Sequence, residues 1–425
     1  MNIPFSPPFI DQSVIDEVVH TLQSKWITTG PKVAALENEI VAMTSCKAAV
    51  CINSWTSGAI LMLKWFGIKE GDEVIIPAYT YSATALAVLH CGAKPVMVDI
   101  GDDFCISPQA VYDAITPKTK AIIPVDIAGW PCDYDKLNAI ITNRRILKLF
   151  VPETFEQQKL NRILLIADAA HSLGAKFDGV ASAKKCDVTI FSFHAVKNIT
   201  TAEGGCVCLN LPAVFDSIAE YRYLKMYTLN GQTKDAFSKL NGAGWKYDIL
   251  FKGLKINMPD ICAAIGLAQI RKYSSYLLPL RKQIALRYCN GFKNTSWFIQ
   301  PPLIDSRRET SYHLFPLRIS DITEEQRDKI IDDLTSMGVA VNVHFIPMPM
   351  LTYFKALGYR ITDYPTTYKQ FSCEISLPIY PQLSNEEIDF IIESVISSVQ
   401  KQLTYSILPS VDLQTDKLRQ VGIAS

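Results

Sequence analysis

Residues 71–100 read GDEVIIPAYTYSATALAVLHCGAKPVMVDI. Two apolar runs, Val74–Pro77 and Pro95–Ile100, flank a helical stretch at Ala83–Cys91. Both runs are rich in Val and Ile and are apolar nearly throughout, which is typical of strands that are buried on both faces of a parallel sheet. The order strand, helix, strand therefore predicts a βαβ unit.

The same rhythm extends over residues 45–210 and predicts an open α/β domain. Helical stretches lie at Ser57–Phe66 and Pro108–Ile115, between further apolar runs. Those runs are Ala48–Ile52, Ala121–Val125, Ile163–Ala167, Val188–Phe193 and Gly205–Leu209. Together with the first two they predict a mostly parallel seven-stranded sheet in a large domain that spans residues 1–250.

The second half of the chain has a different pattern. A breaker-rich region at Leu229–Gly244 precedes a long helical stretch from Pro259 to Asn290. Two strand patterns and two helical patterns follow, at His313–Ile319, Ala340–Phe345, Glu324–Met337 and Asn385–Ser398. They predict a smaller C-terminal α+β domain over residues 251–400, with a peripheral polar tail at 401–425. The charged segment Arg144–Asn161 is predicted to be a surface insertion in the large domain.

The composition argues against several classes of protein. Of 425 residues, 48% are hydrophobic and 20% are charged, so the chain can bury a large core. Lys+Arg and Asp+Glu both number 42, a balance that is not expected of a nucleic-acid binder. No apolar run is long enough to span a membrane, and residues 1–12 do not resemble a signal peptide. Eleven scattered cysteines without a CxxC pair, and six histidines without metal spacing, predict reduced thiols in a cytoplasmic protein without a metal.

Asp168 directly follows the predicted strand Ile163–Ala167. In a doubly wound sheet, ligands bind beyond the carboxyl ends of the strands. A carboxylate is costly to bury there unless it has a cationic or hydrogen-bonding partner. The protonated ring nitrogen of pyridoxal 5′-phosphate (PLP) is such a partner, and the small Ala170 leaves room for a flat ring. The alternative is an aspartate that caps the next helix.

Lys197 lies in SFHAVKN, residues 192–198, at the end of the next predicted strand. An amine that is to bond covalently to a carbonyl has to lose its proton, and a lysine shielded from water meets that need. Ser192 at the strand end can donate to a phosphate. A lysine in such a segment is by itself more often a surface residue, but Asp168 at the end of the preceding strand favours a shared PLP site.

Two earlier strand ends carry polar or aromatic groups. The segment NSWTSG, residues 53–58, opens a helix, where backbone N–H groups and the hydroxyls of Thr56 and Ser57 can bind an anion. The alternative there is a plain helix cap. Tyr81 follows the strand Val74–Pro77 and can stack on an aromatic cofactor, or pack as a core tyrosine.

These segments in this order resemble the DegT/DnrJ/StrS family of sugar aminotransferases. The similarity runs from Ile3 to Val399, and its most specific piece is FSFHAVKNITTAEGG at 191–205. The other matching pieces are IPFSPPFIDQ at 3–12, WITTGPKVAALE at 26–37, residues 71–100, DAAHSLGAKFDG at 168–179, GLKINMPDICAAIGLAQI at 253–270, YHLFPLRI at 312–319 and SLPIYP at 376–381. The resemblance implies the aspartate-aminotransferase fold, which is fold type I of the PLP-dependent transferases.

The resemblance also implies roles for individual residues. Lys197 would carry PLP and move the proton of the reaction, and Asp168 would hold the ring nitrogen. His171 would lie near the phenolic oxygen of PLP, and Tyr81 on the face of its ring. The implied phosphate donors are Thr56, Ser57, Ser192 and Asn257. Asn257 would reach the phosphate from the other subunit, so a homodimer with shared active sites is implied.

The implied reaction is ping-pong transamination. Glutamate gives its amino group and leaves as 2-oxoglutarate, and a nucleotide-linked keto sugar accepts the group. The segments at 194–205 and 255–260 are most similar to the UDP-4-amino-4-deoxy-L-arabinose type, which acts on a 4-keto sugar. A related dehydratase branch has His at the position of Lys197, so the lysine favours transamination.

Some residues depart from the family pattern or keep two interpretations. Trp55, Ala167 and Asp126 differ from the residues that are frequent in the family, and they bear on sugar specificity. His313 and His344 are candidates for the sugar pocket, or packing residues at strand ends. Two other classes of function remain open: a PLP enzyme that dehydrates the sugar, and a cofactor-free regulatory protein on the same fold.

Overall fold

The computed structural model describes residues 1–234 and 245–405 as one large sheet with helices on both faces and a smaller α+β lobe. The strands, in chain order, are β1 (Ala48–Ile52), β2 (Glu73–Pro77), β3 (Lys94–Val98), β4 (Thr119–Ile122), β5 (Leu164–Asp168), β6 (Lys176–Phe177), β7 (Val180–Ala181), β8 (Val188–Ser192), β9 (Gly205–Leu209), β10 (Phe298–Ile299), β11 (Arg308–Glu309), β12 (Phe315–Ile319) and β13 (Glu374–Leu377).

The α-helices of the described ranges follow the same numbering. They are α1 (Gln12–Gln23), α2 (Pro31–Thr44), α3 (Trp55–Trp65), α4 (Ala83–His90), α5 (Pro108–Ala114), α6 (Tyr134–Ile141), α7 (Arg144–Leu149), α8 (Phe155–Leu160), α9 (Ser217–Tyr227), α10 (Asp260–Lys272), α11 (Leu278–Phe292), α12 (Glu324–Ser336), α13 (Thr352–Ala356), α14 (Pro365–Ser372) and α15 (Asn385–Tyr405).

The large sheet has seven strands in the order β1-β9-β8-β5-β4-β2-β3. Strand β9 runs antiparallel to its neighbours β1 and β8, and the other pairs are parallel. The sequence prediction of a mostly parallel seven-stranded sheet is therefore confirmed. The parallel order β5, β4, β2 brings the carboxyl ends of these strands to one edge of the sheet, where a ligand can reach all of them.

Both faces of this sheet are covered, which explains why its strands are apolar nearly throughout. On β1, Val50 and Ile52 belong to the core on one face, with α3 and α4. Ala49 and Cys51 belong to the core on the other face, with α2 and α10. Alternate residues of a strand point to opposite faces, so a strand between two helical layers needs apolar side chains at every position.

The second lobe has its own core around the antiparallel sheet β10-β12-β13. Helices α11, α12 and α15 contribute to this core. The N-terminus of the chain joins it, because the backbone of Ile3 bonds to Gly338 at 2.8 Å and to Ala340 at 3.0 Å and its side chain is buried. A small sheet, β11-β6-β7, connects the lobe to the large domain. The division at residues 250 and 251 stays a prediction.

The predicted strand Ala340–Phe345 is wrong. Within the described residues this segment has an isolated bridge between Asn342 and Ser376 and no strand. Side chains take the backbone N–H groups that a strand would use: Val343 donates to Asn342 Oδ1 at 2.8 Å, and His344 donates to Glu374 Oε2 at 3.1 Å. Local side-chain acceptors of this kind compete with sheet pairing, and they leave the segment free to turn toward a cavity.

The segment Arg144–Asn161 is more than the surface insertion that was predicted. It forms α7 and α8, and Ile146, Phe150 and Leu160 are buried in the core of the large domain. Gln157 donates its Nε2 hydrogen to Phe66 O at 2.9 Å. The last helix, α15, extends five residues past the predicted tail boundary at 400. Residues 406–425, and residues 235–244 of the predicted breaker region Leu229–Gly244, lie outside the described residues.

No described helix combines the length and the apolar character that crossing a bilayer requires. Across residues 1–234 and 245–405, no group of three or more His, Cys, Asp and Glu side chains is arranged to hold a metal ion. All eleven cysteines are free thiols.

Candidate active site

A cavity of about 600 Å³ lies at the carboxyl edge of the large sheet. Residues that follow β2, β4, β5 and β8 form its floor, and residues 342–346 of the second lobe close one side. Six of the predicted site residues line it: Thr56, Tyr81, Asp168, His171, Ser192 and Lys197. The remaining two, Ser57 and Asn257, lie outside its wall.

Asp168 is the last residue of β5 and is buried at the floor of the cavity. Its carboxylate accepts hydrogen bonds from Thr84 Oγ1 at 2.9 Å and from the Ala170 N–H at 3.2 Å. Burial raises the pKa of this carboxyl to about 7, and the two hydrogen bonds and the charge of Lys197 oppose the rise. The carboxylate is thus incompletely compensated within the protein, and a protonated ring nitrogen would complete its partners.

Lys197 lies in the turn after β8 and is half-buried in the cavity wall. Its backbone N–H donates to His194 O at 2.9 Å. Burial lowers the pKa of its amine to about 8, and the charge of Asp168 opposes this. A lysine with such a pKa has a substantial fraction of neutral amine near pH 8, which a nucleophile requires.

Three histidines surround Lys197. The rings of His171 and His313 lie 4.4 Å apart, and both side chains are buried. Burial is the largest cause that lowers the pKa of His171 and of His313 well below the usual value, and it lowers the pKa of His344 to about 3. The positive charge of Lys197 acts in the same direction on each, so all three are neutral imidazoles near pH 7. His171 Nδ1 is buried without a hydrogen-bond partner among the described residues.

Tyr81 lies at the mouth of the cavity with 62% of its surface exposed. Its ring is 5.8 Å from that of Phe345, at an angle of 45°. Phe345 in turn stacks on His171 with ring centroids 5.9 Å apart. The mouth is therefore lined by a row of contacting rings, here called the aromatic slot, on whose exposed faces a flat ring can stack.

The N-terminus of α3 forms another part of the wall. Ser54 caps this helix, since its Oγ accepts from the Ser57 N–H at 3.1 Å, and it also donates to Ser57 Oγ at 2.9 Å. Ser57 thus supports the cap from outside the wall, while Ser54 and Thr56 lie in the wall together with Ser192. Hydroxyls beside a helix N-terminus bind phosphate well.

Asn257 does not line the cavity of its own subunit. Its Nδ2 donates to Thr29 Oγ1 at 2.6 Å, and its Oδ1 accepts from Lys255 Nζ at 2.7 Å. Its role as a phosphate ligand from the other subunit stays a prediction.

Sequence reasoning missed several members of the site. Thr84 donates a hydrogen bond to Asp168, Ser54 caps the N-terminus of α3, and Phe345 forms part of the slot. Asn198 fixes His313 with a hydrogen bond of 2.8 Å between Oδ1 and Nδ1. The Ser54 contact was available from the sequence, because a serine before an apolar helix is a cap signal. The other three depend on contacts across long stretches of chain.

The sequence profile of the DegT/DnrJ/EryC1/StrS aminotransferase family matches residues 8–151 and 155–396. The chain belongs to this family. Spr1654 of Streptococcus pneumoniae, a proposed sugar aminotransferase, has a solved PMP form that is 43% identical, with a TM-score of 0.90 over 96% of this chain and 100% of that chain. Its PLP form is 42% identical with the same TM-score, over 95% of this chain and 100% of that chain.

Two sequence relatives extend the similarity over nearly full length. The spore coat polysaccharide biosynthesis protein SpsC of Bacillus subtilis is 34% identical over 400 residues, which are 92% of this chain and 96% of SpsC. The uncharacterized protein MJ1066 of Methanocaldococcus jannaschii is 37% identical over 398 residues, 92% of this chain and 97% of that protein.

The cofactor of this DegT/DnrJ/EryC1/StrS aminotransferase is PLP. The residues present fit it. The incompletely compensated Asp168 suits a pyridinium nitrogen, and the unpartnered Nδ1 of His171 leaves that imidazole free to meet a polar group. The hydroxyl-lined N-terminus of α3 suits the phosphate. The predicted fold type I is confirmed with the family.

Proposed function

We propose that this aminotransferase moves the amino group of glutamate to a nucleotide-linked keto sugar, at a 4-keto carbon. The observation that carries the proposal is that Lys197 and Asp168 line one cavity and influence each other's ionisation. An amine with a lowered pKa and a carboxyl in need of a cationic partner are the two groups that PLP chemistry requires. Membership of the family and the similarity to Spr1654, a proposed sugar aminotransferase, support a sugar as the amino acceptor.

Different residues of the site have different roles in the proposed reaction. PLP, when bound, supplies an electron sink that stabilises negative charge on the carbon that loses its proton. Asp168 keeps a proton on the ring nitrogen. Lys197 carries the cofactor between turnovers and is the base that takes the Cα proton of glutamate. Ser54, Thr56 and Ser192 hold the phosphate, and the slot of Tyr81 and Phe345 orients the ring.

For the sugar substrate, we propose a chemical class and a type of pathway. SpsC is named for the biosynthesis of a spore coat polysaccharide, which supports a role in cell-surface polysaccharide or related amino-sugar biosynthesis. The finer assignment to the UDP-4-amino-4-deoxy-L-arabinose type rests on the sequence resemblance at 194–205 and 255–260 alone. The neutral histidines around Lys197 support a polyhydroxylated substrate, since imidazoles can read hydroxyl groups as donors or acceptors.

Purified holoenzyme should be incubated with glutamate and a panel of UDP- and dTDP-linked 3-keto and 4-keto sugars, and 2-oxoglutarate and amino sugar should be measured together. We expect stoichiometric formation of both with at least one keto sugar. Lys197→Ala should lose turnover and the visible absorbance of the bound cofactor, whereas Lys184→Ala, at an exposed lysine, should keep both. Loss of sugar without 2-oxoglutarate release would instead indicate the dehydratase class.

The proposal includes a cytoplasmic homodimer in which each active site draws on both subunits. Asn257 supports this, because it does not line the cavity of its own subunit, and as a phosphate ligand it would have to serve a neighbouring site. No nucleic acid or membrane is included as a partner, in keeping with the balanced charge of the chain.

A further inference from the structure

A hydrogen-bonded chain of three side chains runs beneath the cavity and ends at His313. Tyr273 Oη donates to the backbone oxygen of Leu173 at 2.6 Å. Asn198 Nδ2 lies 2.8 Å from Tyr273 Oη and 2.9 Å from the backbone oxygen of Ser311. Asn198 Oδ1 lies 2.8 Å from His313 Nδ1. Tyr273, Asn198 and His313 are all buried.

The donors and acceptors of this chain can be arranged in one way. The backbone oxygen of Ser311 can only accept, so it has to face the amide nitrogen of Asn198 and not its oxygen. Tyr273 has given its hydrogen to Leu173 and therefore accepts the second amide hydrogen. Asn198 Oδ1 is left as an acceptor, and it requires a hydrogen on His313 Nδ1.

A neutral imidazole has one N–H group, so His313 Nε2 then carries a lone pair. Several features keep the ring neutral. Burial lowers its pKa most, and the charges of Lys197 and Arg281 act in the same direction. Arg281 lies directly behind the ring's backbone, with Nη1 donating to His313 O at 3.4 Å. His313 lines the cavity, and among the described residues its Nε2 has no hydrogen-bond partner.

We propose that His313 determines substrate specificity, with Nε2 accepting a hydrogen bond from a ring hydroxyl of the sugar, and that Asn198 is the positioning residue that fixes this tautomer. The inference rests on the proposed keto-sugar substrate. An acceptor with no hydrogen to give attracts a hydroxyl and repels the carboxylate oxygens of glutamate. His313 therefore contributes to the sugar half of the reaction and not to the glutamate half.

Two substitutions at one position separate the two nitrogens of the ring. The amide of His313→Asn replaces Nδ1 and can keep the bond to Asn198, but it leaves no acceptor at the position of Nε2. The longer His313→Gln can place its amide oxygen near the position of Nε2. We expect His313→Asn to lower kcat/KM for the keto sugar on the order of 10- to 100-fold, and His313→Gln to recover most of that loss.

The glutamate half-reaction is the internal control. It is followed in single turnover by the change in cofactor absorbance, without any sugar, and both variants should match wild type within about twofold. A series of substrates that each lack one ring hydroxyl then identifies the contact: for one of them, His313→Asn should cause no further loss. Equal loss with every member of the series, or equal effects on both half-reactions, would overturn the proposal.

The tautomer can be measured without turnover. In ¹⁵N-histidine-labelled holoenzyme, long-range ¹H–¹⁵N spectra distinguish a protonated Nδ1 from a protonated Nε2, and His313→Gln identifies the signal. We expect a protonated Nδ1 in wild type and a mixture of tautomers in Asn198→Leu. A protonated Nε2 in wild type would refute the inference even if amination of a keto sugar is found, whereas a wild-type enzyme that accepts no keto sugar refutes the proposed function itself.

Discussion

Burial sets the protonation of both key groups of the candidate active site. Asp168 and Lys197 attract each other, yet for each the removal of water outweighs that attraction and favours the uncharged form. The protein therefore holds a carboxyl of raised pKa and an amine of lowered pKa in one cavity. A pyridinium nitrogen would stabilise the charged form of Asp168, and a covalent bond would remove the charge of the Lys197 amine. Both changes relieve the unfavourable burial of charge, so the same arrangement favours cofactor binding.

The first prediction concerns the pH dependence of stability in the PLP-free protein. The unfolded carboxyl of Asp168 titrates near 3.8, and the folded one near 7. Between these values the folded state binds more protons than the unfolded state, so its stability falls as the pH rises. Relative to Asp168→Asn, wild type should lose about 1 kcal/mol of unfolding free energy per pH unit from pH 5 to 7, measured by urea denaturation, and the slope should decrease as the folded carboxyl ionises near pH 7.

Two controls make that prediction specific. Asp332→Asn removes an exposed carboxylate from α12 and should leave the pH dependence as in wild type. With saturating PLP, the difference in unfolding free energy between wild type and Asp168→Asn should depend less on pH. The protonated ring nitrogen then supplies the positive charge that the Asp168 carboxylate lacks. If the unfolding free energies of wild type and Asp168→Asn changed with pH in the same way, the pKa of this carboxyl would not be raised by folding.

At this scale, the sequence predicted the residues that stand next to strand ends and missed those that reach the site through other elements. Asp168 and Lys197 follow apolar runs directly, so their place at the sheet edge could be read from the chain. Thr84 contacts Asp168 from 84 residues away, and Asn198 contacts His313, itself a candidate from the sequence, from 115 residues away. No local pattern marks such pairs. The residues of a site that depend on tertiary contacts become visible only with the fold.

At the scale of elements, the candidate phosphate site depends on close packing between the start of α3 and the sheet. Gly205 opens β9 beneath this helix. A Cβ atom there would lie 2.7 Å from Phe191 O, and 3.0 Å from both Ser54 C and Trp55 N. Because these are backbone atoms of the neighbouring strand and of the helix start, they cannot rotate away. The position therefore requires a residue without a side chain.

Gly205→Ala should displace the Ser54–Trp55 backbone and so weaken PLP binding by about tenfold or more, with a loss of about 1–3 kcal/mol of stability. Gly58→Ala is the matched control. Its Cβ would meet the ends of the side chains of Ile52, Ile190 and Val207, at 2.3, 3.1 and 3.1 Å, and these can adjust. Its stability should fall by a similar amount, while its PLP affinity stays within about threefold of wild type. Titration of the apoprotein with PLP compares the two, and equal affinities would contradict the argument.

Elements that are buried on both faces were predicted well, and the one that lines the site was not. The runs at β1 and β9 match the structure residue for residue, because an uninterrupted apolar stretch has one stable place between two helical layers. The run at 340–345 is apolar except for Asn342 and His344, but the side chain of Glu374 takes the N–H of His344. Sequence periodicity cannot indicate a side-chain hydrogen-bond acceptor that comes from another strand.

At the scale of the whole molecule, a group of large apolar side chains is exposed at residues 245–250. Trp245 is 77% exposed, and Tyr247, Ile249 and Leu250 are each more than half exposed. Contiguous apolar patches on a folded chain are typical of interaction surfaces. Asn257 lies seven residues after Leu250 and does not line the cavity of its own subunit. Both features agree with a second copy of the chain that covers the patch and receives Asn257.

Subunit complementation tests this arrangement. Lys197→Ala should be inactive, and Asn257→Ala should bind PLP weakly and turn over slowly, since each lacks one part of every site. When the two variants are unfolded, mixed in equal amounts and refolded, half of the dimers should be mixed. If Asn257 serves the other subunit, each mixed dimer contains one site with both residues intact, so activity should recover to roughly a quarter of wild type. Differently tagged subunits confirm that mixed dimers form, and a control mixture of Lys197→Ala with itself reports background. Mixed dimers without recovery would place Asn257 in the site of its own subunit, or outside it altogether.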